Sequence, residues 1–246
     1  MYSMGHIHLV YCLPFIVQSA LGWEPLPSPE EADKSVGTRL RKLDAPLAEY
    51  LLSRSVAGAT HEDIITGIQK LTRGQVVGCF HHMHPSPPAD LLSWLRGWIE
   101  IGVVPLATLN LQKGVREGRP IPDAWHHQMI HGVSDTNVYL TNPREELPLS
   151  VIQQQISSDS VLLVRREDIV SRWTPLVNWE LIGNGRWAEL NVVESIKKMM
   201  LDHVSVSEER LRYTHIAIPA AYKSGITLFA MDGSPSAQRL KGMTHS

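Results

Sequence analysis

Apolar positions recur at helical spacing in the first part of the chain and at strand spacing over much of the rest. In CLPFIVQSALG (Cys12 to Gly22), Phe15, Ile16, Ser19 and Ala20 fall on one face. That pattern predicts a short helix over 12–22, with Pro14 in the first turn, where its missing N–H costs nothing. The polar, proline-rich EPLPSPEEADKS (Glu24 to Ser35) reads as a surface connection. KLDAPLAEYLLSRSV becomes helical after Asp44, a candidate cap with Pro46 behind it. In THEDIITGIQKL, Thr60 caps, acids fill the first turn, and Ile64, Ile65, Ile68 and Leu71 form an apolar stripe.

The period then changes. QVVGCFHHMH, after Gly74, is rich in β-branched and aromatic residues and predicts a strand. SPPADLLSWLRGWIEIG predicts a helix opened by Ser86, and the continuous apolar run VVPLATLNLQ suits a buried central strand. WHHQMIHGVS and NVYLTNP alternate as two strands joined by SDTN, a hairpin turn. ESIKKMMLDHV predicts another helix, RYTHIAIPA and GITLFAM two more strands, and the last dozen residues a frayed end. Helices first, then strands with a helix between them, predict an α+β fold: N-terminal helices packed on an antiparallel sheet.

Composition narrows the function classes. A chain of 246 residues with 43% hydrophobic and 20% charged residues has the make-up of a globular protein. Its net charge of −2 gives no electrostatic reason to expect nucleic acid or an anionic membrane surface. No apolar run is long enough to predict a membrane span. Cysteines only at Cys12 and Cys79 argue against a disulfide scaffold and suit a reducing, cytoplasmic compartment. The run LVYCLPFIVQSALG imitates a signal-peptide core, so secretion is the alternative location. The preceding MYSMGHIH has no Lys or Arg, however, and Gln18 suits cleavage poorly.

The chemistry-bearing residues are a cysteine, a histidine group and an asparagine. A thiol hydrolase needs a cysteine at a helix N-terminus, where the dipole favours thiolate. It needs a distant histidine to accept the thiol proton, and Asn or Asp to orient that imidazole. Cys12 directly precedes the predicted Pro14 helix, while His126 opens a strand and Asn142 ends its hairpin partner. Alternation puts His126, Gln128 and Ile130 on one sheet face and His127, Met129 and His131 on the other. Cys79, in mid-strand, reads as buried rather than reactive. The group Cys79, His81, His82 and His84 raises a metal site, but its spacing is not that of a zinc site, and no metal is expected. GVREG lacks the Lys and Ser/Thr of a phosphate loop, and Trp94 and Trp98, one helical turn apart, read as core. Trp125, beside His126, is a candidate cleft residue.

These residues resemble the bacteriocin-leader (double-glycine) peptidase-like branch of the papain-fold cysteine peptidases. The resemblance rests on CLPFIVQSALG from Cys12, IEIGVVPLATLN from Ile99, HHQMIHG from His126, and VYLTNP ending at Pro143, with VLLVRREDIVSRW from Val161 behind them. His126 precedes Gly132 by six positions and Asn142 by sixteen, as in that family, which selects His126 over the runner-up base His127. Leu13 stands where the family has glycine and Asn142 where this branch has Asp. His6 stands where a glutamine completes the oxyanion hole, so His6 either donates in its place or leaves the hole incomplete.

The resemblance implies a papain-like domain over 1–175 and a C-terminal α/β extension over 176–246, possibly part of the same domain. It implies a peptidase or amide hydrolase/acyltransferase with Cys12 as nucleophile, His126 as base and Asn142 as orienting group. Such an enzyme needs no cofactor and acts on a peptide or protein. The alternative, motivated by Leu13 and His6, is a catalytically inactive papain-fold module that binds a peptide or protein partner.

Overall fold

The computed structural model describes residues 4–22, 26–115, 118–122, 125–141, 144–204 and 214–243, with backbone alone for 4–12 and 202–204. In chain order, the first helices are α1 (Met4–Leu21), α2 (Pro29–Val36), α3 (Leu47–Val56) and α4 (His61–Leu71). Then come β1 (Val76–His82), α5 (Leu91–Glu100), β2 (Val104–Asn110), β3 (Trp125–Val133), β4 (Asn137–Leu140), β5 (Glu145–Pro148), α6 (Leu149–Ile156) and β6 (Val161–Arg165). The chain continues through α7 (Arg166–Val170), a 3-10 turn (Trp179–Ile182), α8 (Gly185–Glu189), α9 (Val192–Val204), β7 (His215–Pro219), β8 (Gly225–Met231) and α10 (Pro235–Met243). The fold is mixed α+β with an antiparallel sheet, as the hydrophobic patterning predicts.

Residues Met1–Arg39, Gly58–Asp159 and Tyr222–Ser246 form one compact unit, and Leu40–Ala57 with Ser160–Ala221 a second. This differs from the boundary near residue 175 that the resemblance implies. The physical reason is β8, which inserts between β1 and β2 in a six-stranded sheet of order β1-β8-β2-β3-β4-β5. All its residues but Met231 are buried, so the C-terminal segment lies at the heart of the larger unit.

Every residue of β2 is buried, which explains its unbroken apolar run. One face of the sheet, carrying Leu106, Met129 and Phe229, packs against Leu13 and Ile16 of α1, Val36 of α2 and Ile64 and Ile68 of α4. The opposite face, carrying Ala107, Leu109, Ile130 and Leu228, packs against α5, α6 and α10 through Leu95, Trp98, Ile152, Ile156 and Leu240. Each such side chain, removed from water, contributes about 1.5–3 kcal/mol before the entropy of ordering is set against it.

Four expectations change. The helix expected to open at Ser86 starts at Leu91, where Asp90 caps it by accepting from the Ser93 N–H. The first helix begins at Met4 rather than at Cys12, with Pro14 inside it. Residues read as a surface connection form α2, because Ser28 accepts from the Glu31 N–H and Glu31 returns a bond to the Ser28 N–H, a full capping box. The expected frayed end is α10, held by buried Ala237 and Leu240.

In the smaller unit, β6 and β7 form a two-stranded antiparallel ribbon beside α3, α7 and α9. There the Arg172 guanidinium lies 3.9 Å from the Tyr50 ring centroid and donates to the Leu43 carbonyl. Among the described residues, no helix is long and apolar enough to cross a membrane.

Candidate functional site

The strand β3 carries both candidate bases, His126 and His127, and the ladder decides where each goes. His126 lies opposite Leu109 and His127 opposite Thr108. Leu109 belongs to the core on the α5 and α6 face, so His126 stands on that face. His127 stands on the other, which is the face covered by α1. The alternation read from the sequence therefore holds, and it separates the preferred base from the helix that carries Cys12.

Cys12 lies in the interior of α1, not at the helix N-terminus where the sequence pattern puts it. The side chains of Cys12 and His6 and the whole of Asn142 lie outside the described residues. Trp125, the candidate cleft residue, is buried and stacks on Tyr222 with ring centroids 5.7 Å apart.

His127 is buried, and both its ring nitrogens are engaged. Nε2 lies 2.8 Å from the Ala59 carbonyl oxygen, and Nδ1 lies 3.0 Å from the Thr108 hydroxyl. A carbonyl can only accept, so Nε2 carries the proton and Nδ1 accepts from Thr108. Burial, reinforced by His126 and His61 and opposed by the Ala59 bond, pushes the His127 pKa down to about 4. A neutral, doubly bonded imidazole is a weak base and a poor partner for a thiolate.

Other histidines gather at the start of α4 and the end of β1. His61 stacks on Phe80 with centroids 3.7 Å apart, and the His82 and His84 rings lie 6.0 Å from each other. Burial holds His61, His81 and His82 below the usual imidazole range, with Glu62 opposing at His61 and His84 and Lys223 reinforcing at His82. Among the described residues, no group of three or more His, Cys, Asp or Glu is placed to hold a metal ion. Cys79 is half-buried, and burial raises its pKa, as a mid-strand structural thiol requires.

Two cavities among the described residues lie at the other end of β3. Between Ile130 and Gly132 the β3–β4 register shifts, leaving His131 outside the ladder as the extra residue of a bulge. His131 lines two cavities. One, of about 220 Å³, is walled by Ser19, Ile99, Val103, Pro105 and Met129. The other, of about 450 Å³, is walled by Tyr139, Arg144, Glu145 and Glu146. The first is lined mostly by apolar side chains but exposes almost as much polar as apolar surface, while the second offers an aromatic ring and charges of both signs.

Sequence reasoning sets His131 aside and passes over Tyr139 and Glu146. The signal for these two is the period-2 pattern itself. Val138, Leu140 and Leu147 point into the core, so Tyr139 and its cross-strand partner Glu146 must face the other way. No family model matches the chain, and no curated protein matches it.

Proposed function

We propose that the chain is a catalytically inactive, papain-like module that binds an extended peptide across the two cavities that share His131. The observation that carries this reading is the closed state of His127. The imidazole on the α1 face spends both nitrogens on Ala59 and Thr108, and His126 faces away from α1. The chain offers instead two cavities that share His131, one lined mostly by apolar side chains and the other by an aromatic ring and charges of both signs. That combination fits a peptide with an apolar side chain next to a charged or zwitterionic portion.

Panning the whole chain against random displayed decapeptides tests this reading. Enriched peptides should pair an apolar with a charged residue and lose about tenfold or more in affinity to Tyr139→Ala and His131→Ala, the truncation cost of a buried aromatic contact. Binders indifferent to both substitutions, or no binders, would overturn it.

A second reading is cysteine-dependent hydrolysis or acyl transfer on a peptide. It rests on the order and spacing of Cys12, His126 and Asn142 along the chain, because α1 packs on the face of β3 opposite His126. Cys12 would attack the carbonyl, His126 would take the thiol proton and return it to the leaving amine, and Asn142 would orient the ring.

A further inference from the structure

The sequence holds one Asn-Gly pair, Asn184–Gly185, where the chain enters α8. Asparagine before glycine is where a main chain most readily attacks itself. The glycine nitrogen has no side chain to shield it, and it lies one succinimide ring closure from the asparagine amide carbon. A fold suppresses the reaction by engaging either group in hydrogen bonds or by holding the backbone between them rigid.

At Asn184 these restraints are weak. Asn184 and Gly185 are both exposed. The Asn184 side chain makes no capping bond, and the Gly185 N–H has no hydrogen-bond partner among the described residues. A Cβ built on Gly185 would meet nothing within 4 Å, so the space beside the attacking nitrogen is open. Two bonds hold the Asn184 carbonyl, from the Trp187 N–H at 3.1 Å and the Ala188 N–H at 3.3 Å. Both come from α8, a five-residue helix with no buried residue, which can open without exposing core.

Comparable positions are each restrained. Asp232–Gly233 has the same glycine, but the Asp232 carboxylate accepts from Lys241 Nζ at 2.8 Å and from the Gly233 N–H, the nitrogen that would attack. The Asn137 side chain donates to Glu146, while those of Asn110 and Asn178 accept from the N–H groups of Gln112 and Glu180. Asn191 precedes the branched, buried Val192, and Asn142 precedes a proline, which has no N–H.

We propose that Asn184 is a site of spontaneous deamidation in the folded protein, converting it to aspartate and isoaspartate. The Gly185 nitrogen bonds to Cγ of Asn184, the Cγ–Nδ2 bond breaks, and ammonia leaves with the proton from the glycine N–H. Water then opens the ring, its hydroxyl going to one of the two carbonyl carbons and its other proton to the glycine nitrogen. Opening at Cγ gives aspartate. Opening at the main-chain carbonyl gives isoaspartate, whose backbone runs through the side chain and is one methylene longer. That insertion misplaces the carbonyl that caps Trp187 and Ala188, so α8 loosens where it packs on α9 and β7.

The test is to age the full chain at neutral pH in water enriched in oxygen-18, beside a synthetic peptide of residues 181–188, and to map both by mass spectrometry. The ring-opening water leaves one heavy oxygen at Asn184, and electron-transfer fragmentation separates isoaspartate from aspartate. The native chain should react within about tenfold of the free peptide, because little structure must open first. The other asparagines should stay intact over the same interval. In the isoaspartate form, the Trp187 and Ala188 amides should exchange about fivefold faster, the loss of one exposed hydrogen bond each. Asn184→Gln, whose longer side chain closes a larger ring far more slowly, should age without that change. A native rate more than about tenfold below that of the peptide overturns the proposal, since the fold would then protect the pair. Equal loss of ammonia at another asparagine, or unchanged exchange in the isoaspartate form, also overturns it.

Discussion

The Nε2–H of His127 donates to the carbonyl oxygen of Ala59 across 2.8 Å, tying the middle of the sheet to the residue just before the cap of α4. That bond fixes the tautomer, and with it the role open to the ring. Held neutral, His127 is a structural group that titrates late on acidification.

The pH dependence of stability comes from that titration. The folded pKa of about 4 lies below the unfolded value of 6.5, so between these values the unfolded chain binds the extra proton. The contribution is fully present above about pH 6.5 and is lost as pH falls toward about 4, amounting to about 3 kcal/mol for this site. Urea unfolding of wild type and His127→Asn at intervals from pH 7 to pH 4 measures it. The wild-type slope should be the steeper, and equal slopes would remove His127 from the account.

Thr108→Val keeps the shape of the side chain but removes the donor to Nδ1. Thr108 is buried, so no water replaces the bond without rearrangement. The unsatisfied acceptor should cost about 1–3 kcal/mol, while Thr108→Ser, which keeps the hydroxyl, should cost less. The His127 pKa, followed by NMR of the ring, should not rise in the valine variant, because the hydroxyl can turn to accept from Nδ1–H of the charged ring as readily as it donates to the neutral one.

The stack of Trp125 on Tyr222 is seated on Gly58. That glycine has φ +100° and exchanges backbone bonds with Arg39, and a methyl group there would overlap the Tyr222 hydroxyl. Gly58→Ala should therefore destabilise by about 2 kcal/mol or more, from backbone strain plus displacement of the ring. Thermal unfolding followed by near-ultraviolet dichroism reads both effects. Adding Tyr222→Phe should recover part of the loss, since it removes the atom in the way.

Local signals carried much of the fold into the sequence. The Thr60 cap, the buried run of β2 and the turn at SDTN each depend on neighbours a few residues apart, and each appears where the pattern puts it. The alternation of β3 correctly sorts His126 from His127. What the sequence could not show was which face α1 would cover. That is set by long-range packing of Leu13 and Ile16 on Met129 and Phe229. The insertion of β8 between β1 and β2 is likewise a non-local choice, invisible to periodicity. His131 escapes notice in the sequence because its importance comes from a bulge, a register shift between two strands rather than a property of either.

The proposed inactive module predicts that Cys12 forms no thiolate–imidazolium pair, and thiol reactivity tests this most directly. The native protein would be alkylated with substoichiometric iodoacetamide from pH 5 to 9 and read by peptide mass spectrometry, with His126→Ala and His127→Ala alongside. The account predicts that Cys12 gains reactivity only as pH rises through the ordinary thiol range, unaffected by either substitution. Cys12 reacting far faster than Cys79 at pH 6, and losing that advantage with either histidine, would contradict it and establish the cysteine hydrolase instead.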